Sequence, residues 1–185
     1  MMLKFLRAAC ACTLLLIAAC TVSAQPFRRL TVDDFRSAPL ANSRGVVAYT
    51  NCSINFSYQV SVSNNVYRLN FNVNLTINHD RSWIDRSRIT SRELLAEILK
   101  HEQGHYNIAY LEQQEVIRTA TRTRFTSNYR QEAMNIFNRI DAKYKQLNID
   151  YDEDTQHMQN RQQQHSWDVY FNKRLEFMPP ENANL

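Results

Sequence analysis

His101-Glu102-Gln103-Gly104-His105 sets two imidazoles four residues apart, with a carboxylate next to the first. On an α-helix, residues i and i+4 stand one turn apart on nearly the same face, so both rings can point at one ion. Glu102 lies about 100° round the helix from His101, close enough to reach a water at that ion without binding the ion itself. Metal-assisted peptide hydrolysis needs neutral nitrogens on zinc, an open coordination position and a carboxylate to take the proton of the water. Zn2+ is therefore the expected cofactor, His101 and His105 two of its ligands and Glu102 the catalytic base. The same five residues on an ordinary helix could also be two half-buried histidines and a solvated acid, so the surrounding elements decide between the two.

Those elements favour the first alternative. Thr90-Ser91-Arg92-Glu93 fits a capping box with Thr90 as N-cap. Leu94, Leu95, Ile98, Leu99, His105, Ile108 and Leu111 follow at helical spacing, which predicts one long helix from Ser91 to about Phe125. Glycine inside a helix costs about 1 kcal/mol relative to alanine, and the chain has only Gly45 and Gly104. A glycine within the pentad thus points to another element approaching closely. A third ligand is needed as well. Glu112 is on the right face but about 10 Å along the axis from His105. The extended metzincin pattern requires a glycine and a histidine where this chain has Ile108 and Leu111, so that subclass is excluded. The ligand must come from elsewhere, and Tyr151-Asp152-Glu153-Asp154-Thr155-Gln156-His157 is the segment densest in donors.

The elements around this helix are legible as a period change. Ile54, Phe56, Tyr58, Val60 and Val62 alternate with polar residues, and so do Tyr67, Leu69, Phe71, Val73, Leu75 and Ile77. With Ser63-Asn64-Asn65 between them, the two runs read as an antiparallel hairpin with one buried and one wet face. A second helix is expected from about Tyr129 to Leu147. A break at Asn148-Ile149-Asp150 follows, then a third helix from Asp154 or Thr155 to about Leu175. Gln25 to Arg44 reads as an irregular lead-in and Phe177-Met178-Pro179-Pro180 as an extended tail. With no internal repeat or linker, the expectation is one α+β domain over residues 25–185, a small antiparallel sheet packed on three helices.

The first 24 residues stand apart from that domain. Lys4 and Arg7 precede an apolar stretch from Ala8 to Ala19, and Val22-Ser23-Ala24 ends a short small-residue segment, the pattern of a secretory signal cleaved after Ala24. Ile17-Ala18-Ala19-Cys20 also resembles a bacterial lipobox, which would leave a lipid anchor on Cys20. Either route exports the protein, to the periplasm or beyond. Without residues 1–24 the chain keeps 20 basic and 18 acidic residues, a net charge of +2 in place of the +4 of all 185 residues. With no basic patch interleaved with aromatics, no nucleic-acid partner is expected. No apolar run beyond the leader is long enough to span a membrane. Three of the four cysteines lie in the leader, so Cys52 has no partner for an internal disulfide. A monomer is expected. Asn-x-Ser/Thr matches at Asn51, Asn55 and Asn74 fall in Asn- and Ser-rich strands, where the pattern arises by chance.

His101-Glu-Gln-Gly-His105 with Tyr106-Asn-Ile-Ala after it, and Tyr151-Asp-Glu-Asp-Thr-Gln-His157 downstream, resembles a bacterial family of exported proteins described as predicted secreted zinc-dependent proteases. Ala48-Tyr49-Thr50, Ser82-Trp83, Gln164 and Trp167 match the same pattern, and the resemblance spans roughly residues 46–170. One departure is Met158, where that family usually has glycine. The resemblance implies a zincin-like metallopeptidase acting on a peptide or protein, with His157 as third ligand and Asp152 as the alternative. Tyr151 would either stabilise a developing oxyanion through its phenol or pack as an aromatic. The polar edge of the strand 66–77 could line the cleft and pair with an extended peptide. An envelope protein stiffened by a structural zinc is the competing reading.

Overall fold

A computed structural model describes residues 27–176, apart from Asn42 and Arg44. The leader with Cys20 and the tail from Phe177 lie outside the described residues. Alternation of apolar and polar side chains gives two 12-residue strands, β2 (Cys52–Ser63) and β3 (Val66–Ile77), paired antiparallel in the register Ser63↔Val66 to Cys52↔Ile77. Asn64 and Asn65 turn the chain with φ of 49° and 58°, the left-handed pair that a two-residue hairpin demands and asparagine tolerates. Leu69, Phe71, Val73, Leu75 and Ile77 are buried, whereas Val60, Val62 and Val66 at the tip are exposed. The hairpin therefore runs past the helices that cover its base. A second small sheet, absent from the sequence reading, pairs β1 (Ala48–Tyr49) antiparallel with β4 (Trp83–Ile84).

Three helices complete the α+β fold: α1 (Arg92–Arg122), α2 (Tyr129–Thr155) and α3 (Arg161–Glu176). The cap of α1 is Ser91, whose hydroxyl accepts from the Leu94 N–H at 3.1 Å, one residue after the Thr90 expected from the capping-box pattern. Ile98, Ile108, Leu111, Val116 and Ile117 of α1 are buried. They join β3, Ala133, Ile140 and Tyr144 of α2 and Phe171 of α3 in two adjoining cores. Among the described residues no helix is long and apolar enough to cross a membrane.

The expected break at Asn148-Ile149-Asp150 is not there: α2 continues for two more turns, to Thr155. Asn and Asp break helices when their side chains bond locally to the backbone. Here Asn148 is taken up by His105 across the helix interface, at 2.8 Å, and Asp150 accepts from Gln146 one turn back. The third helix accordingly starts later than expected, at Arg161. The 151–157 segment is thus the last turn of α2 and its exit, not the approach to α3.

Candidate metal centre

The pentad lies inside α1, with His101 and Glu102 buried and His105 nearly so. Each imidazole of the pair is held from behind. The Nδ1–H of His101 donates to Gln164 Oε1 at 3.1 Å, and that of His105 donates to Asn148 Oδ1 at 2.8 Å. An amide oxygen on Nδ1 puts the proton there and leaves the Nε2 lone pair free, the arrangement found behind metal-bound histidines. The His101 ring is also stacked on Tyr151, with centroids 4.8 Å apart and planes 15° from parallel.

Gly104 makes that stack possible. A Cβ there would overlap the phenol of Tyr151, so α2 is the element whose approach the glycine requires. Tyr151 is fully buried, and its hydroxyl donates to the backbone oxygen of His101 at 3.0 Å while accepting from Gln164 Nε2 at 2.9 Å. Its phenol is turned to the back of the imidazoles and does not line the cavity in front of them. Of the two roles open to Tyr151 in the sequence, packing and orientation fit this geometry and oxyanion contact does not. Burial raises its pKa first of all, which keeps the phenol neutral.

From the end of α2 the chain turns back through Gln156, His157 and Met158, at φ of 49°, 50° and 74°. Three successive non-glycine residues in the left-handed region are strained, and Met158 stands where the related pattern has glycine. The turn brings His157 Nδ1 to 3.2 Å from Asp152 Oδ1, while the Nε2 atoms of His101 and His105 are each 3.3 Å from the same oxygen. That oxygen is buried and has no aligned hydrogen-bond partner. Three ring nitrogens thus crowd one carboxylate oxygen. A tetrahedral ion with bonds of about 2.0 Å separates its ligands by about 3.3 Å, so these spacings suit a cation at the common centre. His101, Asp152 and His157, like His101, Glu102 and His105, present donor atoms within 4.8 Å of one another.

Glu102 faces the same cavity, and its Oε2 accepts from the Thr50 hydroxyl at 2.6 Å. The cavity, about 250 Å³, is walled by Val46–Tyr49, Met158, the three histidines and Asp152. A second hollow of about 660 Å³ shares Tyr49, His105 and Asp152 with it and continues along Thr50–Ile54, Glu112 and Tyr144. The segment beside the centre is therefore 46–54, which holds β1 and the start of β2, and not 66–77, which lines neither hollow. Burial opposes charge on His105, but the Asp152 and Glu102 carboxylates outweigh it and push its pKa up to about 9. Asp152 is half-buried, which opposes its charge, yet the imidazoles hold its pKa well below the usual carboxylate range. Burial pushes the Cys52 thiol up to about 12, so it offers no thiolate in the second hollow. His79 is bonded to Asp34 and His165 is exposed, and neither joins the cluster.

A family of bacterial proteins of unknown function, DUF922, has a model that matches residues 20–158. The chain belongs to it. The DUF922 span holds β1–β4, α1, α2 and the turn with His157, but not α3. No curated protein and no solved structure matches the chain. Three residues that hold the centre of this DUF922 chain were not singled out by their chemistry in the sequence. Asn148 read as a helix break, while Thr50 and Gln164 were visible only as members of a resembling pattern. Nothing local marks them, because each acts on a residue between 43 and 63 positions away.

Proposed function

We propose that the protein is an exported metal-dependent hydrolase, and that zinc and a peptide bond are its cofactor and substrate. The observation that carries this reading is the convergence of the three imidazole nitrogens and Glu102 on one small open cavity. His101, His105 and His157 would hold the cation. Zinc so held would polarise a carbonyl and draw the pKa of a water toward about 7. Glu102, kept in one orientation by Thr50, would take the proton of an attacking water and return it to the leaving amine. Gln164 and Asn148 keep the imidazoles in the tautomer that a cation needs, and Tyr151 accepts from the Gln164 amide and holds it in that orientation. The overall arrangement, a helix bearing the pentad beside a short strand, is zincin-like in this reading, and a peptide lying along 46–54 would have its carbonyl near Glu102.

The test is a pair of measurements on Glu102→Gln. Zinc content should stay near one per chain, while cleavage of a mixed peptide library falls by about 10²–10⁴-fold, the usual contribution of a positioned base. Undiminished cleavage by that variant would reject the mechanism. A structural metal is the second reading, and the observation favouring it is Asp152 Oδ1 amid the imidazoles, a fourth donor from the protein itself. It predicts a metal whose removal lowers the melting temperature and a wild-type protein inert toward every peptide.

A further inference from the structure

We propose that Asp152 is a ligand of the same cation together with His101, His105 and His157, giving a centre of three nitrogens and one carboxylate oxygen. The assignment rests on the metal-centre reading above but not on hydrolysis. The sequence treats Asp152 and His157 as alternatives for one position. The structure brings both to the centre at once, because the left-handed turn after α2 folds His157 back over the helix end that carries Asp152.

Three observations point the same way. The spacings of 3.3, 3.3 and 3.2 Å from Asp152 Oδ1 to the three nitrogens are nearly equal, so the oxygen is shared by all three and is not the partner of one. Each of these three spacings has the length of an edge of a coordination tetrahedron with bonds of about 2.0 Å. The oxygen is also buried without an aligned donor, and a buried carboxylate oxygen left unpaired is costly unless a cation or donors satisfy it. Finally, the turn is held in a conformation that survives only where its surroundings over-determine it, and its visible product is the His157–Asp152 approach. Glu102 and all four donors line one cavity. An imidazole–carboxylate set without thiolate accepts Co2+ as well as zinc, which supplies a spectroscopic probe.

The experiment compares wild type and Asp152→Ala, each stripped and titrated with Zn2+ and with Co2+. Asp152→Ala should lose at least about a hundredfold in Zn2+ affinity, of the size seen when groups around a metal are removed. Its Co2+ visible bands should shift and weaken. X-ray absorption of the zinc-loaded wild type should fit three imidazoles and a carboxylate oxygen, a result that needs no variant to fold. Unchanged affinity and bands in Asp152→Ala would overturn the assignment, as would a wild-type zinc shell of three imidazoles and water alone. Wild type that binds neither ion would overturn the metal-centre reading and this assignment with it. A four-donor centre in a protein that cleaves no peptide would uphold Asp152 and remove only the hydrolytic reading.

Discussion

His101 and His105 stand near the middle of a 31-residue helix, with side chains 5% and 13% exposed, while His157 is 52% exposed on a strained turn. The first two are fixed by backbone hydrogen bonds of α1 and by Gln164 and Asn148 behind their rings. The third depends on three residues with positive φ and has no such support from behind. A donor pair on one helix comes from the 3.6-residue period and needs no adjustment to fit an ion. A donor delivered by a turn can move, so the two halves of the centre should differ in how much binding depends on them.

The widest separation between the halves is expected in metal content. Changing both His101 and His105 to Ala should abolish stoichiometric zinc, measured by elemental analysis after dialysis. His157→Ala should retain zinc with affinity reduced by roughly 10–100-fold, on the scale set by losses around metal ligands. Equal loss in the two variants would show that the turn is as rigid as the helix.

The next effect concerns the support of the helical half. Gly104→Ala sets a methyl group against the phenol of Tyr151, which is fully buried and bonded on both sides. Overpacking of this kind costs about 1–3 kcal/mol, partly offset by the better helix propensity of alanine. Urea unfolding should therefore show Gly104→Ala less stable than wild type by about 2 kcal/mol, and Gly104→Ala with Tyr151→Phe should recover part of it. A stabilised Gly104→Ala would mean that α2 does not approach α1 as described.

Beside the centre, Glu112 samples the rigidity of the groove. Burial first, then the nearby Asp141 carboxylate, raise its pKa to about 7, against a smaller opposing effect of Lys145. An acid whose folded pKa is raised holds its proton more tightly when folded, so its contribution to stability is present at low pH and lost as pH rises through about 7. Glu112→Gln should thus be neutral near pH 5 and stabilising at pH 8, by about 1 kcal/mol after allowance for its partial exposure. Denaturant midpoints at the two pH values measure it, and a variant effect that does not change with pH would contradict the burial of this carboxylate.

The smallest expected effect sharpens the other half. Met158→Gly and Met158→Ala both lose the contacts of the methionine side chain with the core around Ile98 and Tyr106, but only glycine is free of the penalty at φ 74°. Met158→Gly should exceed Met158→Ala in stability by about 1 kcal/mol. Equal stability of the two would show that the turn carries no strain.

The hairpin, its Asn64-Asn65 turn, the pentad on a long helix and the close approach at Gly104 were all legible in the residues. Each is set by a repeat of two or 3.6 residues or by the steric demand of a single position. Local chemistry misled where long-range contacts were stronger. Asn148 and Asp150 read as a break, yet α2 runs through them because His105 and Gln146 take up their side chains. The cleft strand shifted from 66–77 to 46–54 because pairing of β1 with β4, a contact between segments 35 residues apart, places it there.

Sequence alone thus determined that two imidazoles share one helical face with a carboxylate about 100° round from the first, since that follows from spacing along a single backbone. Only the tertiary structure decided what stands around them: Asp152 and His157 beside the rings, Thr50 on Glu102, and amide oxygens behind His101 and His105. Those contacts join residues from separate elements, and their distances depend on how helices pack and where a turn reverses, which no local repeat encodes.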